Sequence, residues 1–192
     1  MRGDHPFGLG RRLADSEGAS LVEFAVALPL LVVLVVGIFD FGGAFNLKQE
    51  LNNAVREGAR YGASLPSNDL LNSGTPPTVD AIRFLVDSYL QAAKINDCGL
   101  SAAPDPGLSG PYTWNFTASG CASNLVLKVE RGVLVQENVG SNNPVAIQVV
   151  CTRVTLTYPY QWRFNSVIQL LVSGANYGLT SITSSATSVN MD

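Results

Sequence analysis

The sequence predicts an α+β fold: one long N-terminal helix, apolar along its inner half, packs by its outer half on a small antiparallel β-sheet with one additional helix. Three observations carry that expectation. The stretch Ala19 to Phe39 holds a single ionised side chain, Glu23, and runs on into a stripe of apolar and small residues at helical spacing. Val79, Ile82, Leu85, Val86, Tyr89, Leu90 and Ala93 repeat the same period further along. Beyond Tyr112 the pattern changes to the two-residue alternation of strands. The organisation that follows is a hydrophilic leader over 1–18, a helix over 19–63 and an α+β domain over 64–192.

The leader sets Arg2, Arg11 and Arg12 against Asp4, Asp15 and Glu17 and has no apolar run. The helix behind it is long enough to cross a bilayer, since about 20 residues rising ~1.5 Å each span roughly 30 Å. Pro29 removes a backbone donor inside that span, which predicts a bend there. Gly37, Gly42 and Gly43 weaken the helix further out. Beyond Phe45 the stripe is Leu47, Leu51, Ala54, Val55, Gly58, Ala59 and Gly62, with Gln49, Asn52, Asn53, Arg56, Glu57 and Arg60 on the other side. Such small residues let a partner element approach the backbone closely.

Pro66, Asn68, Gly74 and Pro76-Pro77 mark a loop. Thr75 or Thr78 is the expected cap of the second helix, with Asp80 in its first turn. Residues 96 to 110 read as irregular. Tyr112 to Ala118 reads as a short strand, and Leu125, Leu127 and Val129 alternate with Lys128 and Glu130. A turn around Gly140 to Asn143 leads into Val145 to Tyr158, which Pro159 ends. In that run the apolar phase passes from Val145, Ile147, Val149 and Cys151 to Val154, Leu156 and Tyr158, predicting a β-bulge or bend near Thr152. Phe164 to Val172 is an apolar helix or loop, and Leu179 to Val189 a final strand. Within it Val167 to Val172 either packs on the sheet or offers a docking patch around Leu170 and Leu171.

Composition excludes several function classes. The net charge of −3, from 12 basic and 15 acidic residues, leaves no basic excess to hold nucleic acid. The leader carries three charges of each sign, so its loss would not change the total. The single histidine, His5, lies in the leader, which deprives the rest of the chain of the commonest general base and metal ligand. No nucleophile elbow, phosphate-binding loop or zinc-ligand spacing is present, so no catalytic residue, metal, cofactor or small-molecule substrate is expected. Cys98, Cys121 and Cys151 all lie beyond the span. Cys98 and Cys121 sit in Gly-, Pro- and Ser-rich surroundings and form the preferred disulfide; Cys151, in an apolar phase, reads as a buried free thiol.

Glu23 sits just inside the apolar run, five residues after Gly18. A carboxylate there is costly unless it reaches water or finds a partner. A cut between Gly18 and Ala19 would create a free ammonium at Ala19, and Glu23 could meet the terminal ammonium of a neighbouring chain when helices stack with a stagger. A polar leader ending in Gly, followed by a processed apolar helix with Glu at its fifth position, resembles the type IV prepilins. Over residues 18 to 63 the segments V-E-F-A, L-P-L-L, G-I-F-D-F-G and N-A-V-R-E-G-A-R-Y-G-A resemble, in order and spacing, the TadE-like family of pseudopilins of the Tad/Flp pilus. The distal V-T-L-T-Y-P-Y and G-L-T-S-I-T-S-S-A-T are similar to the same family.

The resemblance implies a pilin-like fold, cleavage between Gly18 and Ala19 by a prepilin peptidase, and subunit assembly through Glu23 and Phe24. It also implies as partners other Tad/Flp pilins and pseudopilins, an inner-membrane assembly platform and membrane lipid. Phe24 stands where the major Flp pilins carry tyrosine. Basic residues flanking the span are balanced, Arg2, Arg11 and Arg12 before it against Lys48, Arg56 and Arg60 after it. Orientation, with the distal domain outside, therefore rests on the resemblance and on the cysteines. Two rival readings stay open at this point: a permanently anchored extracytoplasmic binding domain whose leader is never cut, and a secreted enzyme cut after Ala44.

Overall fold

The computed structural model describes residues 10–71, 74–139, 145–164, 169, 174 and 179–191. It is α+β, as the sequence predicts. Helix α1 is Gly10–Ser64, α2 is Pro77–Ala92, and the strands are β1 Thr113–Ala118, β2 Leu125–Val139, β3 Val145–Gln161 and β4 Leu179–Val189. The chain divides into two compact units, one of Met1–Gly42 with Arg163–Asn176 and the other of Gly43–Trp162 with Tyr177–Asp192. The boundary falls within α1, at the glycine pair Gly42-Gly43.

In the first unit α1 starts at Gly10, earlier than the expected start at Ala19. The helix continues without interruption through Pro29. Every residue from Gly18 to Leu31 is exposed. Among the described residues this is the one helix long and apolar enough to cross a membrane, and none of the described residues buries its most apolar stretch.

The second unit is built around the outer part of α1. Leu51, Ala54, Val55, Ala59 and Ala63 are buried there, as the stripe predicts. Gly58 and Gly62 explain how close the neighbours come. A Cβ on Gly58 would lie 2.9 Å from Val86 Cγ2, and one on Gly62 would lie 2.6 Å from Ile82 Cδ1 and 2.9 Å from Thr152 Cγ2. Helix α2 buries Val79, Ile82, Val86 and Leu90. Its first turn is capped from outside: Asp69 accepts from the Thr78 backbone N–H at 2.9 Å and from the Thr78 hydroxyl at 2.9 Å. The expected caps are thereby corrected, because Pro76 occupies the cap position and Thr75 donates instead to Asp105.

The sheet is wholly antiparallel in the order β1-β2-β3-β4. Trp114, Phe116, Leu125, Leu127, Val129, Val154 and Leu156 join α1 and α2 residues in one core. The opposite face is hydroxyl-rich, with Thr155 and Ser185 hydroxyls 2.8 Å apart and Thr157 and Thr183 hydroxyls 3.2 Å apart. The expected irregularity near Thr152 lies on the partner strand. Gly132 of β2, at φ 78°, is the extra residue between the pairs Arg131↔Thr152 and Val133↔Cys151. Strand β3 alternates unbroken, so Cys151 and Val154 point to opposite faces. The bulge also lets β2 run to Val139, beyond the alternation legible up to Glu130.

Tyr112, at φ 50°, belongs to the turn before β1, and β3 extends past Pro159 to Gln161. Pro159 is tolerated because the β2 pairing ends at Thr157 and only β4 flanks the strand there. The expected turn at Gly140 to Asn143 lies outside the described residues, as does Val167 to Val172 apart from Gln169.

Candidate functional site

The residues that sequence reasoning assigns to processing and assembly all lie on α1 in the first unit. Gly18 and Ala19 are helical and exposed, and a Cβ on Gly18 would meet nothing within 4 Å. Glu23 follows Ala19 by four residues, one helical turn, on the same side of the helix. Among the described residues Glu23 has no hydrogen bond or ion pair, and its neighbour Phe24 is 62% exposed. A carboxylate and an aromatic ring thus stand together, exposed, at the start of an apolar surface that no described residue buries. Pro29, a turn and a half further on, leaves the Ala25 carbonyl without its helical donor. Such a group is satisfied in an apolar medium only by a neighbouring helix or local adjustment.

A second carboxylate of the same unit was not singled out from sequence. Asp40 is 3% exposed and accepts from the backbone N–H of Arg163 at 3.2 Å and of Phe164 at 3.3 Å, one donor to each oxygen. The contact joins residues 123 and 124 positions apart. The only local signal was an acid between two phenylalanines, Phe39 and Phe41.

In the second unit Cys98 and Cys121 form the expected disulfide, with Cα atoms 5.0 Å apart. Gly120 N–H donates to the Cys98 carbonyl at 2.9 Å, and a Cβ on Gly120 would lie 2.5 Å from that oxygen, so only glycine fits. Cys151 is the buried free thiol that its apolar phase predicts. Burial, helped by the charge of Glu137 and opposed by Arg153, pushes the thiol above its ordinary value and so lowers its thiolate fraction.

Two arginines that the sequence did not flag hold the loops. Arg83 donates to the carbonyls of Ser101 at 3.1 Å and Ala103 at 3.0 Å, pairs with Asp80 at 3.0 Å and stacks 4.5 Å from the Phe84 ring centre. Arg131, 1% exposed, donates to the carbonyls of Leu65 at 2.8 Å and Pro66 at 3.3 Å, just past the C-terminus of α1, where a cation complements the helix dipole.

One acid of this unit titrates unusually. Burial, then the hydrogen bond and charge of Asp97, push the Asp87 carboxyl up to about 6, against the pull of the Ser101 backbone N–H and Arg83. Among the described residues no three metal-ligating side chains come together.

Residues 18–60 match the family model described as TadE-like protein. The match lies wholly within α1 and includes Glu23, Phe24, Pro29 and Asp40. No curated protein and no solved structure matches the chain.

Proposed function

We propose, for a chain whose residues 18–60 are TadE-like, that it is a minor pseudopilin of a Tad/Flp-type pilus, a non-enzymatic subunit used in assembly, initiation or at the tip. A prepilin peptidase on the cytoplasmic side cuts after Gly18, leaving Ala19 as the new terminus. The processed subunit is held in the bacterial inner membrane by α1 with its α+β domain outside, and leaves the membrane through the assembly platform. In the polymer Glu23 neutralises the terminal ammonium of an adjacent pilin or pseudopilin, and Phe24 packs beside it. Surface adhesion is the expected use of the finished pilus.

The observation that carries this reading is Glu23: an acid without a partner among the described residues, inside a family-matched apolar helix whose most apolar stretch those residues leave exposed. In a bilayer such a group is costly alone and stable once paired. The α+β unit supports a low-copy role, because a domain of that bulk on every subunit would crowd a filament whose repeat is set by helix packing. Glu23→Ala tests the pairing. The variant is expected to insert and be processed but to be missing from sheared pili; wild-type incorporation with Glu23→Ala would refute it.

A further inference from the structure

We propose that the Arg163–Phe164 turn, held on α1 by the Asp40 carboxylate, is a second contact with the bilayer, in which Phe164 enters the acyl boundary and Arg163 pairs with a phospholipid phosphate. The inference rests on α1 crossing a membrane and is independent of leader cleavage and of Glu23 pairing.

Seventeen residues of helix separate Glu23 from Asp40, a rise of about 26 Å, against a hydrocarbon core of roughly 30 Å. The two acids therefore bracket the apolar run, and Asp40 lies at its outer boundary. A carboxylate at that depth is unfavourable unless its oxygens find donors, and backbone N–H groups there are equally unfavourable without acceptors. The Asp40 bonds to the Arg163 and Phe164 N–H groups satisfy both at once. They also fix the height of the turn along α1. Around Asp40 the helix exposes Ile38, Phe39 and Phe41, each more than 60% accessible, which is the surface of a segment bathed in lipid at the edge of the core.

At that height the side chains offered are those a phospholipid interface accommodates. Arg163 is exposed, and its planar guanidinium matches a phosphate with paired donors. Phe164 is half-buried, with ring surface left to enter the acyl boundary. Asp40 in this account is a positioning residue: it touches no lipid and sets where the turn meets it.

The test uses the full chain in phosphatidylcholine vesicles, with Phe164→Trp placed in a Trp162→Phe background and Trp114 as the buried internal reference. Lipids brominated near the carbonyl end of the acyl chain are expected to quench the introduced indole several-fold more than lipids brominated at the chain terminus, and aqueous iodide to quench it little. Adding phosphatidylglycerol should strengthen the shallow quenching, and Arg163→Gln should abolish that increment. Asp40→Ala should lower shallow quenching several-fold and raise iodide quenching, with Asp40→Asn, which keeps one acceptor, in between. A Leu30→Trp control in the same background reports insertion of α1 itself and should be quenched best from the chain terminus.

An indole at position 164 reached by iodide and not by lipid bromine, while Leu30→Trp is quenched from the bilayer centre, overturns the proposal and leaves the anchor standing. Unchanged quenching in Asp40→Ala, with Trp114 emission as in the parent, overturns the role of Asp40. Failure of the Leu30→Trp control removes the membrane reading and this proposal together.

Discussion

Gly62→Ala should destabilise the second unit by up to about 2 kcal/mol, a figure set by two opposed effects. Alanine in place of glycine inside a helix is worth ~1 kcal/mol in its favour. The new methyl, however, would lie 2.6 Å from Ile82 Cδ1, 3.2 Å from Ile82 Cγ1 and 2.9 Å from Thr152 Cγ2, where about 3.5–4.0 Å is the comfortable separation. The end of Ile82 can swing aside, but its Cγ1 and Thr152 cannot easily follow. Thr152 is β-branched, 0% exposed, and its hydroxyl donates to Asn190 Oδ1 at 2.8 Å, so turning it away would sacrifice that bond. Overpacking of this kind costs about 1–3 kcal/mol, and the crowding prevails.

Urea unfolding of the full chain in detergent, followed by emission of buried Trp114, measures the difference. Ile82→Val removes the nearest methyl and should make the double variant more stable than the sum of the single effects. Gly58→Ala, with one contact at 2.9 Å and the next at 3.6 Å, should cost less. Gly62→Ala as stable as the parent, with no coupling to Ile82, would refute the close approach of α1 to α2 and β3.

Two further outcomes follow from the second unit. Because the folded Asp87 carboxyl is raised to about 6 from an ordinary 3.8, the folded state retains a proton that the unfolded chain has lost between those values; stability therefore falls as pH rises from about 4 to about 6 and levels off above. Asp87→Asn should flatten that decline in unfolding midpoint, and an unchanged pH profile would exclude Asp87 as its source. Reduction of Cys98–Cys121, which closes a separation of 23 residues, should cost about 3 kcal/mol in the same urea assay. No shift on adding reductant would show that the bridge does not constrain the unfolded chain.

Much of the architecture was legible because periodicity reports a single buried face. The stripe from Leu51 to Gly62 and the repeat from Val79 to Leu90 each face the core, and the alternation from Leu125 to Val129 has one apolar side. The β2 extension was hidden because Gly132 inserts a residue and breaks the two-residue period, although the neighbouring strand remains regular. The apparent phase change in β3 is a change in which face carries the apolar residues, something a single strand's pattern cannot distinguish from a bulge. Asp69, Arg83 and Arg131 act through partners that chain folding alone brings near, with Arg131 65 and 66 residues from its acceptors.

The candidate site divides the same way. Gly18, Ala19, Glu23 and Phe24 are local in sequence and could be read as a unit. Asp40 makes sense only beside Arg163 and Phe164, and an acid in an apolar run carries no indication of which distant backbone will satisfy it.

The proposed assembly requires that removal of the leader expose an amine for Glu23 of an adjacent subunit. Intact mass and amino-terminal sequencing of the protein extracted from membranes, with and without Gly18→Trp, address it most directly. A chain beginning at Ala19 is expected, with residues 1–18 retained in the Gly18→Trp variant. A parent protein that still begins at Met1 would contradict it and favour a permanently anchored domain, whereas a soluble product beginning at Phe45 would contradict it in favour of a secreted one.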